Sequence, residues 1–83
     1  MMYNEIILES LRGIDTEGKT ELDISTILSQ ALTDANHPDT ICLGIFNGGE
    51  RKFEGAVMNG LDMSTGPLLR FTYDWDTDEF NEL

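Results

Sequence analysis

One histidine, His37, and one cysteine, Cys42, are the chain's candidates for a general base and a soft nucleophile. A thiolate activated by imidazole needs the two side chains in contact and a third group to orient the base. The sequence provides no such setting. His37 precedes Pro38, where backbone sterics stop a helix and leave a surface residue. Cys42 lies in an apolar alternating segment and reads as a small hydrophobic filler. Gly44, Gly48, Gly49, Gly55 and Gly60 lack the spacing and the following Lys-Ser or Lys-Thr of a phosphate loop, and read as hairpin and bulge glycines. No catalytic residue and no cofactor is expected, so the chain reads as a binding protein, not an enzyme.

The residues with the strongest chemical character are at the end of the chain. Asp74-Trp75-Asp76-Thr77-Asp78-Glu79-Phe80-Asn81-Glu82-Leu83 holds five acids and no base, whereas residues 1–73 carry eleven acids and five bases. Five of the eleven net negative charges therefore sit in the last ten residues. On an extended strand Asp74, Asp76 and Asp78 share one face at about 6.6 Å, twice the rise per residue. That matches every second phosphate of a backbone rising about 3.4 Å each. Such a ladder, with Glu79 and Glu82 beside it, would meet a row of Lys or Arg, and Trp75 and Phe80 would supply apolar anchors. Glu5 and Glu9, one turn apart on an outer helix face with Arg12 next to them, extend this acidic surface if that helix lies near. The plainer reading of residues 76–83 is a solvated, frayed acidic tail with Trp75 packed on the core.

Two partial motifs fail on inspection. Asp-x-Asp-x-Asp opens an EF-hand loop, but Glu79 stands where the sixth position needs Gly and no twelfth-position Glu follows, so no metal is expected. Asp15-Thr16-Glu17-Gly18 is similar to the Asp-Thr-Gly of aspartic proteases, and Glu17 interrupts the triplet.

Composition narrows the partner class. Sixteen Asp and Glu against five Lys and Arg give a net charge of −11, which opposes phosphate backbones and anionic bilayers and favours basic protein surfaces. Direct nucleic-acid and membrane binding are therefore disfavoured. An apolar fraction of 40% is too high for a disordered chain, and 83 residues fit one compact domain. No run of about 18 apolar residues is present, the N-terminus lacks the pattern of a signal peptide, and a lone cysteine suits a reducing compartment, so a cytoplasmic protein is expected.

The elements that must position these residues follow from periodicity. Tyr3, Ile7, Leu11 and Ile14 at helical spacing predict a helix over 3–14, with Asp15-Thr16-Glu17-Gly18-Lys19 offering the competing reading of a hairpin turn. Ile24, Ile27, Leu28, Ala31 and Leu32 predict a second helix over 22–36 with Asp23 as N-cap. Alternation then predicts strands over 40–46, 52–58 and 68–75. Asn47-Gly48-Gly49 is the turn, and a three-residue loop would place Ile41, Leu43 and Ile45 in the core with Phe53 and Val57, leaving Cys42, Phe46, Lys52 and Glu54 outside. Leu69, Phe71, Tyr73 and Trp75 should face the core, opposite Arg70, Thr72 and Asp74. Residues 59–67, with Leu61 and Met63, read as a loop. The expected architecture is α+β, two N-terminal helices packed on a three-stranded antiparallel sheet, ααβββ.

From size and charge the chain resembles small phage-encoded DNA mimics and anti-CRISPR inhibitors. The resemblance implies a non-catalytic inhibitor occupying the basic surface of a nucleic-acid-handling protein. An immunity protein against a basic toxin would look the same. The other reading is a structural or regulatory subunit that self-associates, as a homodimer, through a sheet edge or apolar face.

Overall fold

Ile6, Ile7 and Leu11 recur at the spacing of one helix face, and in the computed structural model, which describes residues 2–60 and 66–83, they are buried on α1, Tyr3–Arg12. The helical reading of this segment therefore holds over the hairpin. The second helix, α2, runs Glu21–Asp34. Its N-cap is Thr20, not Asp23: Thr20 Oγ1 accepts from the Asp23 N–H at 3.2 Å, and Asp23 Oδ2 accepts from the Thr20 N–H at 2.9 Å. This reciprocal box satisfies two backbone donors and holds the Asp23 carboxyl below the usual carboxylate range, chiefly through the Thr20 backbone bond. Ile24, Leu28 and Leu32 form the buried face. Asn36, at φ 70°, turns the chain out of the helix, and the His37 N–H donates to the Leu32 carbonyl at 2.9 Å.

Among the described residues four strands follow: β1 Thr40–Asn47, β2 Lys52–Asn59, β3 Leu69–Asp74 and β4 Glu79–Glu82. They form one antiparallel sheet in the order β1-β2-β3-β4. The class is α+β as expected, with one strand more than expected. β4, Glu79–Glu82, occupies half of the segment read as a tail, residues 76–83. The loop expectation at Leu61 and Met63 lies outside the described residues.

The faces of β1 are the reverse of the expected ones. Asn47 pairs with Lys52, so Gly48-Gly49-Glu50-Arg51 is an even, four-residue connection, and Ile41, Leu43 and Ile45 lie opposite Met58, Ala56 and Glu54. Arg51, not a glycine, takes the left-handed conformation, at φ 54°. Cys42 and Phe46 face inward with Phe53, Val57, Phe71 and Tyr73, while Leu43 and Ile45 are exposed. The reason is room for aromatic rings. Gly44 and Gly55 are cross-strand partners on the core face, and the rings of Phe53 and Phe71 lie over them. A Cβ on Gly55 would stand 2.6 Å from Phe53 Cε2 and 2.7 Å from Phe71 Cζ, and one on Gly44 would overlap the Phe53 ring. Two phenyl groups laid over glycine bury more apolar surface than the aliphatic alternative could.

Both helices pack on this aromatic face, α2 against β1, α1 against α2 and the C-terminal end of α1 against β3. Ser29 of α2 reaches the outer edge of β1, where its Oγ accepts from the Cys42 N–H at 2.9 Å and its hydroxyl lies 3.3 Å from the Cys42 carbonyl oxygen. Among the described residues, no helix lies over the second face of the sheet.

Candidate interaction surface

The acidic terminus is a hairpin, because β3 ends at Asp74 and the chain turns over residues 75–78 before β4 begins. The turn removes the ladder: Asp74, Asp76 and Asp78 do not share a strand face. Asp74 Oδ1 accepts from the Asp76 N–H at 2.9 Å, as Asp does in turns. Asp76 Oδ1 lies 2.6 Å from Arg51 Nη1. Asp78, at φ 56°, accepts from Arg12 Nε and Nη2, each at 2.9 Å, and from the Tyr73 hydroxyl at 2.5 Å. Those bonds, the arginine's first, hold the Asp78 carboxyl below the usual carboxylate range and raise the Arg12 guanidinium. The Tyr73 phenol is pushed up to about 12 by burial, then by its bond to the Asp78 carboxylate.

Trp75 and Phe80 cover the core in place of standing out among the acids. The Trp75 indole N–H donates to the Leu11 carbonyl at 2.9 Å, and its ring meets Phe46 and Tyr73 edge-on at 5.6 and 5.1 Å. Phe80 stacks on Phe71 at 5.4 Å. Glu79 and Glu82 are exposed on β4, and Glu5 and Glu9 are exposed on α1. The Arg12–Asp78 pair brings the C-terminal end of α1 to the hairpin turn, with Glu5 two turns further back along the helix.

Sequence reasoning missed the surface that the inverted register creates. Following the cross-strand partners, the uncovered face carries Ile41 and Met58, then Leu43, Ala56 and Arg70, then Ile45, Glu54, Thr72 and Asn81, then Asn47, Lys52, Asp74 and Glu79. It is apolar along β1 and charged at the hairpin end. Ile45 is 67% and Leu43 49% exposed. At the charged end Lys52 Nζ lies 3.8 Å from Glu50 and 4.0 Å from Asp74. Asp74 and Glu79 are thus the two predicted site residues that lie on this face, while Asp76 and Asp78 are engaged by arginines. The available sequence signal was the pair Gly44 and Gly55, residues that leave one strand face free for rings from elsewhere.

The candidates for chemistry are apart from this surface. Cys42 is buried, and burial pushes its thiol up to about 12, so little thiolate exists near neutrality. The half-buried His37 packs its ring against Tyr3 at 4.8 Å. Among the described residues no three acids, histidines or cysteines come together to hold a metal ion, and no helix is long and apolar enough to cross a membrane. The chain matches no known protein family, no curated protein and no solved structure.

Proposed function

We propose that this is a non-catalytic acidic interaction protein, working in the cytoplasm as one domain over residues 1–83, that occupies a basic nucleic-acid-binding surface of a partner protein. The observation carrying the reading is the uncovered sheet face, on which Leu43 and Ile45 stand exposed in a chain of net charge −11. A purely solubilising surface has no use for adjoining exposed aliphatics, which mark association surfaces instead. The charge selects the partner: opposite sign steers encounter, and like sign excludes phosphate backbones and anionic bilayers. Asp74 and Glu79 provide local charge beside the apolar rungs, Glu82, Glu5 and Glu9 add to the surrounding field, and the ion-paired Asp76 and Asp78 contribute least. Trp75 and Phe80 support the face from beneath. A DNA mimic or anti-CRISPR-like inhibitor, and equally an immunity protein against a basic toxin, would use such a surface.

The test is affinity for a partner isolated by pull-down, measured at low and moderate salt. Asp74→Asn with Glu79→Gln should slow association and flatten its salt dependence, and Leu43→Ser with Ile45→Ser should speed dissociation. A partner bound equally well by both variants, with no salt dependence, would sink the reading. Self-association is favoured by the open edge of β1 and opposed by −11 charges on each copy. Sedimentation across a range of concentrations decides between one copy and two.

A further inference from the structure

The outer edge of β1 is closed along its first half and open along its second. Odd-numbered residues of β1 exchange backbone bonds with β2, so the alternation of an antiparallel ladder turns the N–H and C=O of residues 40, 42, 44 and 46 outward. The Thr40 N–H donates to the His37 carbonyl at 3.1 Å, and Ser29 covers both groups of Cys42. The outward groups of Gly44 and Phe46 meet no partner among the described residues. The opposite edge is managed differently: β4 is four residues long and bears Glu79 and Glu82, a short and charged edge that discourages strand addition. The open half of β1 has neither protection.

Apolar side chains flank that open edge on both sides. Leu22, in the first turn of α2 and 73% exposed, lines a groove with Glu21, Ser25, Leu43 and Gly44. On the other side Leu43 and Ile45 adjoin Glu54 on the uncovered face, with Arg70 one strand further in. A strand laid beside Gly44 and Phe46 would send alternate side chains to Leu22 and to the Leu43–Ile45 pair, next to Glu21 on one side and Glu54 on the other. We infer that the edge of β1 from Leu43 to Asn47 is a strand-addition site that takes an extended, basic, alternately apolar segment of a partner protein. Main-chain bonds to Gly44 and Phe46 supply affinity, and the flanking acids select lysine and arginine. A second copy fits less well, because pairing β1 with β1 would bring two chains of net charge −11 within a strand spacing of about 4.8 Å. The inference rests on the reading of the protein as an acidic interaction module and specifies where and how the partner is held.

The experiment uses the isotope-labelled full chain and a short end-blocked peptide of alternating Lys and Val, at low salt. In the free protein the Gly44 and Phe46 amides should exchange with solvent quickly and the Cys42 amide slowly. With the peptide, the Gly44 and Phe46 amides should be protected about tenfold or more, and shift changes should centre on residues 43–47 and Leu22. Ile45→Lys, and independently Leu22→Lys, should weaken binding about tenfold at unchanged melting temperature, through charge repulsion at exposed positions. Peptide bound elsewhere, with Gly44 and Phe46 still exchanging quickly, overturns the edge site and leaves the acidic-module reading standing. Protection of both amides in the free protein with a concentration-dependent dimer assigns the edge to a second copy and overturns the inference. Absence of binding anywhere on the chain overturns both.

Discussion

The indole nitrogen of Trp75 donates to the carbonyl of Leu11 across 64 residues of sequence, at 2.9 Å, and so ties the β3–β4 turn to the last turn of α1. The bond gives the Leu11 carbonyl, which also accepts from the Ile14 N–H at 3.1 Å, a second partner at the end of the helix. Trp75→Ala removes it together with the edge-on contacts to Phe46 and Tyr73, and should lower stability by about 3 kcal/mol in chemical denaturation. An unchanged midpoint would mean that the ring is free to serve as an interface anchor instead.

Gly44→Ala should cost about 2 kcal/mol or more, since its methyl meets the Phe53 ring and stands 2.5 Å from the Glu54 carbonyl oxygen. Gly48→Ala is the control: the nearest atom to its methyl is 3.5 Å away and its φ is ordinary, so the cost should stay within about 0.5 kcal/mol. Equal denaturation midpoints for the two variants would contradict the register of β1 on β2.

Asp78 gives the acid limb of stability a specific origin. Its carboxyl titrates lower in the folded chain than in the unfolded one, so the unfolded state takes up the proton first. The stability it lends is complete above the unfolded value of about 4 and is lost as pH falls through the lowered folded value. Wild type should therefore lose stability more steeply below about pH 4 than Asp78→Asn, with the two curves converging in acid. Parallel curves would show that the Arg12–Asp78 pair adds nothing.

The alkaline limb has the opposite sign. Tyr73, raised to about 12 when folded, stabilises fully below its unfolded value of about 10 and loses that contribution as pH climbs toward 12. Tyr73→Phe should flatten the fall in stability over that window, as read by melting temperature against pH.

Cys42, also raised to about 12, should be alkylated in the folded protein at pH 8 at a rate roughly a thousand-fold below an ordinary thiol, following its thiolate fraction. Labelling should become fast once denaturant unfolds the chain. Fast labelling of the native protein would place the side chain outside the core.

The two helices and the inward face of β3 were legible because their apolar residues are dense and regularly spaced: Ile24, Leu28 and Leu32 at helical period, Phe71 and Tyr73 at period two. The β1 face was misread for a physical reason. Ile41, Leu43 and Ile45 form the more regular alternation, whereas the opposite face holds Gly44, whose value to the core depends on Phe53 and Phe71 from other strands. No local pattern reports the ring that a glycine accommodates. The Thr20 cap was hidden because its N3 partner is Asp23, a residue that reads equally well as a cap itself. β4 escaped because Glu79-Phe80-Asn81-Glu82 has one large apolar residue, and only its pairing with β3 makes it a strand. The site residues suffered the same way. Asp76 and Asp78 were visible as charge, but the arginines that hold them, Arg51 and Arg12, come from β2's leading loop and α1.

Because the sheet is a meander, each strand finds its partner next to it in sequence, and the ladders can zip in chain order without a long crossover. The first helix is the exception. Its ties to the rest include Trp75 to Leu11 and Asp78 to Arg12, 64 and 66 residues apart, and they form only after the whole intervening chain is gathered in. Docking of α1 onto the sheet therefore closes loops of 64 and 66 residues, although α1 also packs on α2, its neighbour in sequence. Departure of α1 would strip the cover from Phe71 and Tyr73 while leaving the β1–β2–β3 ribbon and the cap of α2 in place.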